Sequence, residues 1–338
     1  MNQQFEQRQP AASNKRIVIR TIVTTLLTIA VSAFVTLYGQ RVVDMTMAAQ
    51  YQPSDKISSV NERLDLTSRG TDLFYASKPA IQGAETFNAN CQSQERTTAI
   101  LGCYYKSQIY LYDIQNQNLD GTLEVTAAHE MLHAAYERLN FIEKIQVDKM
   151  IERQYEVIKN DSALKKTMEY YRTAEPNDLV NELHSILGTT VVKLNPDLES
   201  YYGQYFSDRQ DIVKLNEKYN AIFGEVSKKA EELSVKIKAM EPEIQAELAT
   251  YDADRAQMEL DIESFNQRAT SGGFTTQSSF YAARNALMAR TAALNARRDA
   301  INAKVNEYNA YVEELNNLSV KAYELNKSIN GAEAPAGI

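Results

Sequence analysis

His129 and His133 stand four residues apart, and Glu130 directly follows the first of them. On a helix, side chains four apart share one face, so both imidazoles would be presented together. Hydrolytic zinc chemistry needs such a pair in the neutral state, an acid beside it and an open coordination position. Read as HExxH, the segment predicts His129 and His133 as zinc ligands and Glu130 as the general base that takes the proton of an attacking water. The chain has three histidines in 338 residues, the third being His184, so two of them falling in one motif carries weight. Thr126, Ala127 and Ala128 before the pair, Met131 and Leu132 within it, and Ala134 and Ala135 after it are uncharged and include no proline, as suits a helix buried on most sides. The plain alternative is two packed or solvated histidines on an amphipathic helix.

A catalytic zinc of this type takes a third protein ligand. The metzincin pattern HExxHxxGxxH is excluded, because Tyr136 occupies the glycine position and Leu139 the final histidine position. The downstream GTxDxxYG of aspartate-ligand enzymes is not supplied by Gly188-Thr189-Thr190-Val191. What does follow, with Glu182 placed 49 residues after His133, is Asn181-Glu182-Leu183-His184-Ser185-Ile186-Leu187-Gly188-Thr189. This resembles the downstream Asn-Glu helix of the gluzincins, the thermolysin-like zinc peptidases. The resemblance implies Glu182 as third ligand, a peptide or protein substrate, and a Tyr or His that stabilises the oxyanion. It departs from the family at Ile186, where an aspartate normally steadies a ligand histidine.

His184 is the rival third ligand. Two residues from Glu182, it points about 200° round the helix, so the two do not easily serve one metal. With Glu182 on the metal, His184 becomes available as a catalytic oxyanion donor; Tyr170, Tyr171, Tyr201, Tyr202 and Tyr205 are the other candidates, each with simple packing as its alternative. A second resemblance is broader. Leu119-Asp120-Gly121, Val125-Thr126-Ala127-Ala128-His129, Gly102-Cys103-Tyr104 upstream and Tyr202-x-x-Tyr205-Phe206-x-Asp208-Arg209 downstream look like the compact core of a family of bacterial membrane proteins without an assigned activity.

The elements that must position these residues are legible around them. Gly102 to Tyr105 and Gln108 to Tyr112 read as strands flanking a Lys106-Ser107 turn. Helices are expected over Asp55–Leu64, Thr67–Tyr75, Glu124–Leu139, Phe141–Lys159, Ser162–Arg172 and from Asn177 to Leu187, with breaks near Gly70 and Pro79. The strand Gln108–Tyr112 is expected either as the edge strand that holds extended substrate or as a plain core strand.

Thr21 to Gln40 is a run of twenty residues without a charge, long enough at about 1.5 Å per residue to cross a bilayer core. Arg8, Lys15, Arg16 and Arg20 precede it against Glu6 alone, and Arg41 and Asp44 cancel beyond it, so the positive-inside rule puts the N-terminus in the cytoplasm. A buried core helix and a cleaved signal peptide are the alternatives; Leu37-Tyr38-Gly39 lacks a small-x-small cleavage pattern. Cys91 and Cys103 then fall on the oxidising side, where they could close a loop or stand as unrelated thiols. From Asp208 onward Val226, Ala230, Leu233, Ile237, Met240 and Ile244, then Leu248, Tyr251, Met258, Ile262 and Phe265, recur at coiled-coil spacing. After Ser271-Gly272-Gly273 comes a seven-residue ladder of Phe280, Leu287, Leu294, Ile301, Tyr308 and Leu315. Two arms about a glycine pair predict an antiparallel hairpin, a long intermolecular coil being the alternative.

The expected fold is therefore α+β and mostly helical. It comprises a cytoplasmic tail at 1–16, a single transmembrane anchor at 17–40, a small-sheet HExxH metallopeptidase domain at 52–206, a coiled-coil hairpin at 207–328 and a disordered tail at 329–338. The net charge of -8 and pI near 5.2 argue against a nucleic-acid partner. The expected activity is zinc-dependent peptide hydrolysis outside the cytoplasm, with a protein partner or self-association through the coil. A coiled-coil envelope scaffold with a structural or vestigial zinc site, and a zinc hydrolase of cell-wall amide bonds, are the competing readings.

Overall fold

The path of the chain is α1 (Ala12–Gln50), α2 (Asp55–Arg63), α3 (Ser68–Ala76), β1 (Ala80–Gln82), α4 (Ala84–Asn90), β2 (Gly102–Tyr105), β3 (Gln108–Tyr112), α5 (Thr122–Glu137), α6 (Phe141–Ile158), α7 (Ser162–Ala174), α8 (Leu179–Thr190), α9 (Pro196–Tyr202), α10 (Arg209–Thr270) and α11 (Gln277–Ile329). This is a computed structural model, and it describes residues 12–91, 101–174, 176 and 178–329. The outer parts of the expected cytoplasmic and disordered tails, 1–11 and 330–338, lie outside the described residues, as does Asn177 at the expected start of α8. The described chain forms two units: one runs to Asn220 and takes in the end of α11 from Lys327, the other is Ala221–Asn326.

The first unit is built around α5. Ala127, Ala128, Met131, Leu132, Ala134 and Ala135 are all buried, so this helix is enclosed as its uncharged sequence demands. Its start follows Gly121, which takes the left-handed φ of 91° and has Leu215 where a Cβ would sit. The small sheet has the order β1-β3-β2, with β1 parallel and β2 antiparallel to β3. Lys106 and Ser107 both adopt positive φ at the β2–β3 turn, the geometry that a two-residue hairpin needs to match strand twist.

β3 is the central strand, not the edge. The three-residue β1, too short to leave a pattern in the sequence, occupies its other side, and among the described residues the sheet's two edges belong to β1 and β2. Gly70 does not break α3 either. A Cβ there would lie 2.2 Å from the Tyr205 carbonyl oxygen, so the glycine permits close approach rather than ending the helix. Arg209 explains how α8 ends: its guanidinium donates to the carbonyls of Val191 (2.7 Å) and Val192 (3.2 Å) and forms two hydrogen bonds with Glu199.

α1 contains one stretch, Arg16–Thr36, long and apolar enough to cross a membrane, with its side chains exposed. Beyond it the helix docks on the unit. Asp44 accepts from Arg138 Nε at 2.8 Å, and Tyr51 donates to the Pro79 carbonyl at 2.5 Å. Arg138 ends α5, so α1 and α5 are joined by a largely buried ion pair.

In the second unit, Asp261–Arg290, Asp254–Arg297 and Glu247–Lys304 form ion pairs in which one partner falls by seven as the other rises by seven. That progression makes α10 and α11 antiparallel within this unit. The ladder Phe280, Leu287, Leu294, Ile301, Tyr308 and Leu315 is buried or half-buried throughout. On α10 the seam follows Ala230, Ile237, Ile244, Tyr251, Met258 and Phe265 at intervals of seven, whereas Leu248 and Ile262 fall off it and are exposed. The rings of Phe265, Phe274 and Phe280 cluster at the turn, where Gly272 takes a φ of 73°.

Candidate metal centre

α5 and α8 together assemble the site. The i, i+4 spacing puts His129 and His133 on one face of α5, their rings 4.8 Å apart and nearly perpendicular. Glu182, in the first turn of α8, faces both: Oε1 lies 3.4 Å from His133 Nε2 and Oε2 lies 3.7 Å from His129 Nε2. One ligand atom from each of the three residues falls within 4.8 Å of the others, so the group could hold a metal ion. The helices approach closely enough because α8 carries Gly188, where a Cβ would be 2.2 Å from Leu132 Cδ1.

The surroundings suit a cation. Burial holds both imidazoles below their ordinary pKa and so neutral, with His129 adding to the effect on His133, and neutral imidazole is the ligating form. Burial also raises Glu182, against the opposing pull of His133 and the Tyr171 hydroxyl. Its Oε2 is buried without a hydrogen-bond partner, a cost that a bound cation would remove. Asp178 and the Asn181 side chain face His133 and favour its protonated form, and Asn181 donates to Asp178 at 3.0 Å.

Glu130 is buried beside the cluster but does not belong to it. It lines the same cleft of about 1440 Å³ as the three possible ligands. β2 forms a wall of that cleft and presses on Glu130 at Gly102, where a Cβ would meet Thr126 Cγ2 at 2.5 Å and Glu130 Oε1 at 3.0 Å. Cys103, the next residue, is bridged to Cys91 with a Cα separation of 5.9 Å.

His184 is placed differently from its expected catalytic role. It is fully buried, does not line the cleft and packs among the rings of Tyr136, Tyr201 and Tyr202. Its Nε2 is 3.0 Å from the Tyr201 hydroxyl, and its carbonyl accepts from Tyr202 at 2.6 Å. The two-residue offset from Glu182 sends the ring into the core, so His184 is outside the His129, His133 and Glu182 group and away from the cleft lining. Tyr201, Tyr202 and Tyr205 share that core, while Tyr170 and Tyr171 reach the cleft. Sequence reasoning missed Asn216 and Tyr219, which line the cleft from the first turns of α10. The sign was available in Ile212 and Val213, adjacent apolar residues that do not fit a two-stranded seam and are fully buried here.

No family model matches the chain, and no curated protein or solved structure matches it either. Membership of the gluzincins gains no support from these comparisons. What stands is a His-His-Glu group able to hold a metal ion beside a buried carboxylate.

Proposed function

We propose that the chain is a membrane-anchored, extracytoplasmic, zinc-dependent peptidase. The observation that carries this is the convergence of His129, His133 and Glu182 within 4.8 Å while Glu130 shares their cleft outside the ligand group. Two imidazoles and one carboxylate are a ligand set suited to catalytic zinc, and a purely structural site has no use for the fourth residue. A zinc ion bound there would supply Lewis acidity toward a substrate carbonyl and an attacking water. The chain's own residues do the rest. Glu130 takes the proton of the water and returns it to the leaving amine. The edge of β2 that is unpaired among the described residues holds an extended peptide through main-chain pairing. Tyr170, Tyr171 and Tyr219 are among the cleft-lining hydroxyls from which an oxyanion donor is drawn.

The anchor reading places Arg16–Thr36 in the bilayer, with basic residues on its N-terminal side. The Cys91–Cys103 bridge fits an oxidising compartment for the remainder. The helical hairpin offers a surface for a protein partner or a second copy.

Glu130→Gln tests the catalytic assignment. The variant should bind zinc near the wild-type level yet lose hydrolysis of a mixed peptide library by about 10²–10⁴-fold. Parallel loss of zinc would make Glu130 structural and sink the catalytic reading. Wild-type protein that binds zinc but cleaves no peptide would favour the scaffold or cell-wall alternatives.

A further inference from the structure

Phe141 and Ile142 are 79% and 64% exposed at the start of α6, and Ile145, one turn on, is 40% exposed. They are not loosely held. Asn140 caps the helix by accepting from the backbone N–H groups of Ile142 and Glu143, and Glu143 returns the bond to Asn140, a reciprocal box that fixes this end. A rigid helix start that holds an aromatic and two aliphatic side chains out in water needs a covering surface.

Their position in the fold identifies that surface. A cavity of about 310 Å³ is walled on one side by α1 from Thr36 through Tyr38, Gln40 and Arg41 to Asp44, and on the other by Leu139, Asn140 and Glu143. Thr36 is the last residue of the apolar stretch. The start of α6 therefore lies beside the segment of α1, Thr36 to Asp44, that follows its apolar stretch, the zone in which amphipathic aromatics such as Tyr38 collect in membrane proteins. The Asp44–Arg138 pair ties α1 to the end of α5, just before α6 begins.

We infer that Phe141, Ile142 and Ile145 dip into the interfacial layer of the bilayer crossed by α1, giving the first unit a second membrane contact. The inference rests on reading Arg16–Thr36 as a membrane span. Apolar side chains on a helix start can enter the headgroup and upper acyl region without crossing it. With one contact at α1 and another at α6, the unit cannot rock freely about its anchor, and its cleft is held at a set height above the lipid.

Site-directed fluorescence on the full chain in phosphatidylcholine vesicles tests this. Both native cysteines are bridged, so an introduced thiol takes the label alone. Phe141→Cys, Val157→Cys and Leu27→Cys would each carry an environment-sensitive dye. Val157 is 78% exposed on the same helix, roughly 24 Å further along it, and serves as the aqueous control. Leu27 reports on the anchor. The label at 141 should be quenched several-fold more strongly than that at 157 by phospholipid with a nitroxide near the headgroup, and should be protected from aqueous iodide. A label at 141 that behaves like the one at 157 overturns the inference while leaving the anchor intact. Protection from both quenchers also overturns it, since a second copy or another protein would then be the cover. Failure of quenching at 27 by phospholipid with a nitroxide deep in its acyl chain removes the anchor reading and the inference with it.

Discussion

Gly188 of α8 lies against Leu132 of α5 so closely that a Cβ on the glycine would stand 2.2 Å from Leu132 Cδ1 and 2.9 Å from the Tyr202 ring. Leu132 sits between the two histidines in sequence, and Gly188 is six residues beyond Glu182. The contact therefore sets how near Glu182 comes to His129 and His133. In an open helix Gly→Ala stabilises by up to about 1 kcal/mol. Here overpacking should outweigh that gain, and Gly188→Ala should lower stability by about 1–3 kcal/mol and weaken zinc binding. Denaturant melts and zinc titration check both; a more stable variant with unchanged affinity would show that the spacing is not set here.

Most elements around the site were legible because their chemistry is local. The strands Gly102–Tyr105 and Gln108–Tyr112 match residue for residue, and α5, α6, α7 and α8 agree to within a few residues at each end. Periods of two and of three to four, punctuated by turn residues, carry that information. β1, α4 and α9 escaped because three- and seven-residue elements leave too short a pattern. The rank of β3 in the sheet depends on β1, so it could not be read either. His129, Glu130 and His133 were visible through spacing, and Glu182 through its neighbourhood. The placement of His184 was not, because opposite faces of α8 are known from geometry but which one meets the cleft is decided by α5. Tyr219 was hidden by the length of α10: a helix of 62 residues reads as one element although its first turns belong to the unit that holds the site.

The Cys91–Cys103 bridge should be worth about 3 kcal/mol, since it closes a short loop and chiefly restricts the unfolded chain. At the size of this unit that corresponds to a melting temperature roughly 6–12 °C lower in Cys91→Ser/Cys103→Ser. Because Cys103 follows Gly102, which bears on Glu130, turnover should fall as well at temperatures where the variant is still folded. Equal melting curves with and without reductant would mean that the bridge does not form in solution.

His184, together with His129 and His133, should make the metal-free protein acid-labile. Burial drives its pKa down to about 3, helped by His133 and His129, while the unfolded chain titrates near 6.5. Between these values the unfolded state binds more protons, so stability is full above about pH 6.5 and is lost as pH falls toward 3. At pH 5 the loss is on the order of 2 kcal/mol from this residue. His184→Gln keeps a polar atom for the Tyr201 hydroxyl and cannot take up the proton. In the presence of a chelator, its melting temperature should drop less than that of wild type between pH 8 and pH 5. An identical drop would place the titrating groups elsewhere.

The test of the third ligand compares two residues on opposite faces of one helix. Glu182 presents its oxygens to both imidazoles, whereas His184 is enclosed by Tyr136, Tyr201 and Tyr202. Removing Glu182 leaves two histidines, which hold zinc poorly. Glu182→Ala should therefore weaken zinc binding by more than the roughly 10–100-fold typical of losing an outer-sphere partner. The buried carboxylate lacks a hydrogen-bond partner at Oε2, so its removal should also stabilise the metal-free fold slightly or leave it unchanged. His184→Gln should bind zinc as wild type does and show its effect only in stability. Calorimetric titration of zinc into both variants at one pH separates the cases. Zinc retained by Glu182→Ala and lost by His184→Gln would replace the His-His-Glu site with one made of three histidines, and α8 would then have to turn by about half a revolution to build it.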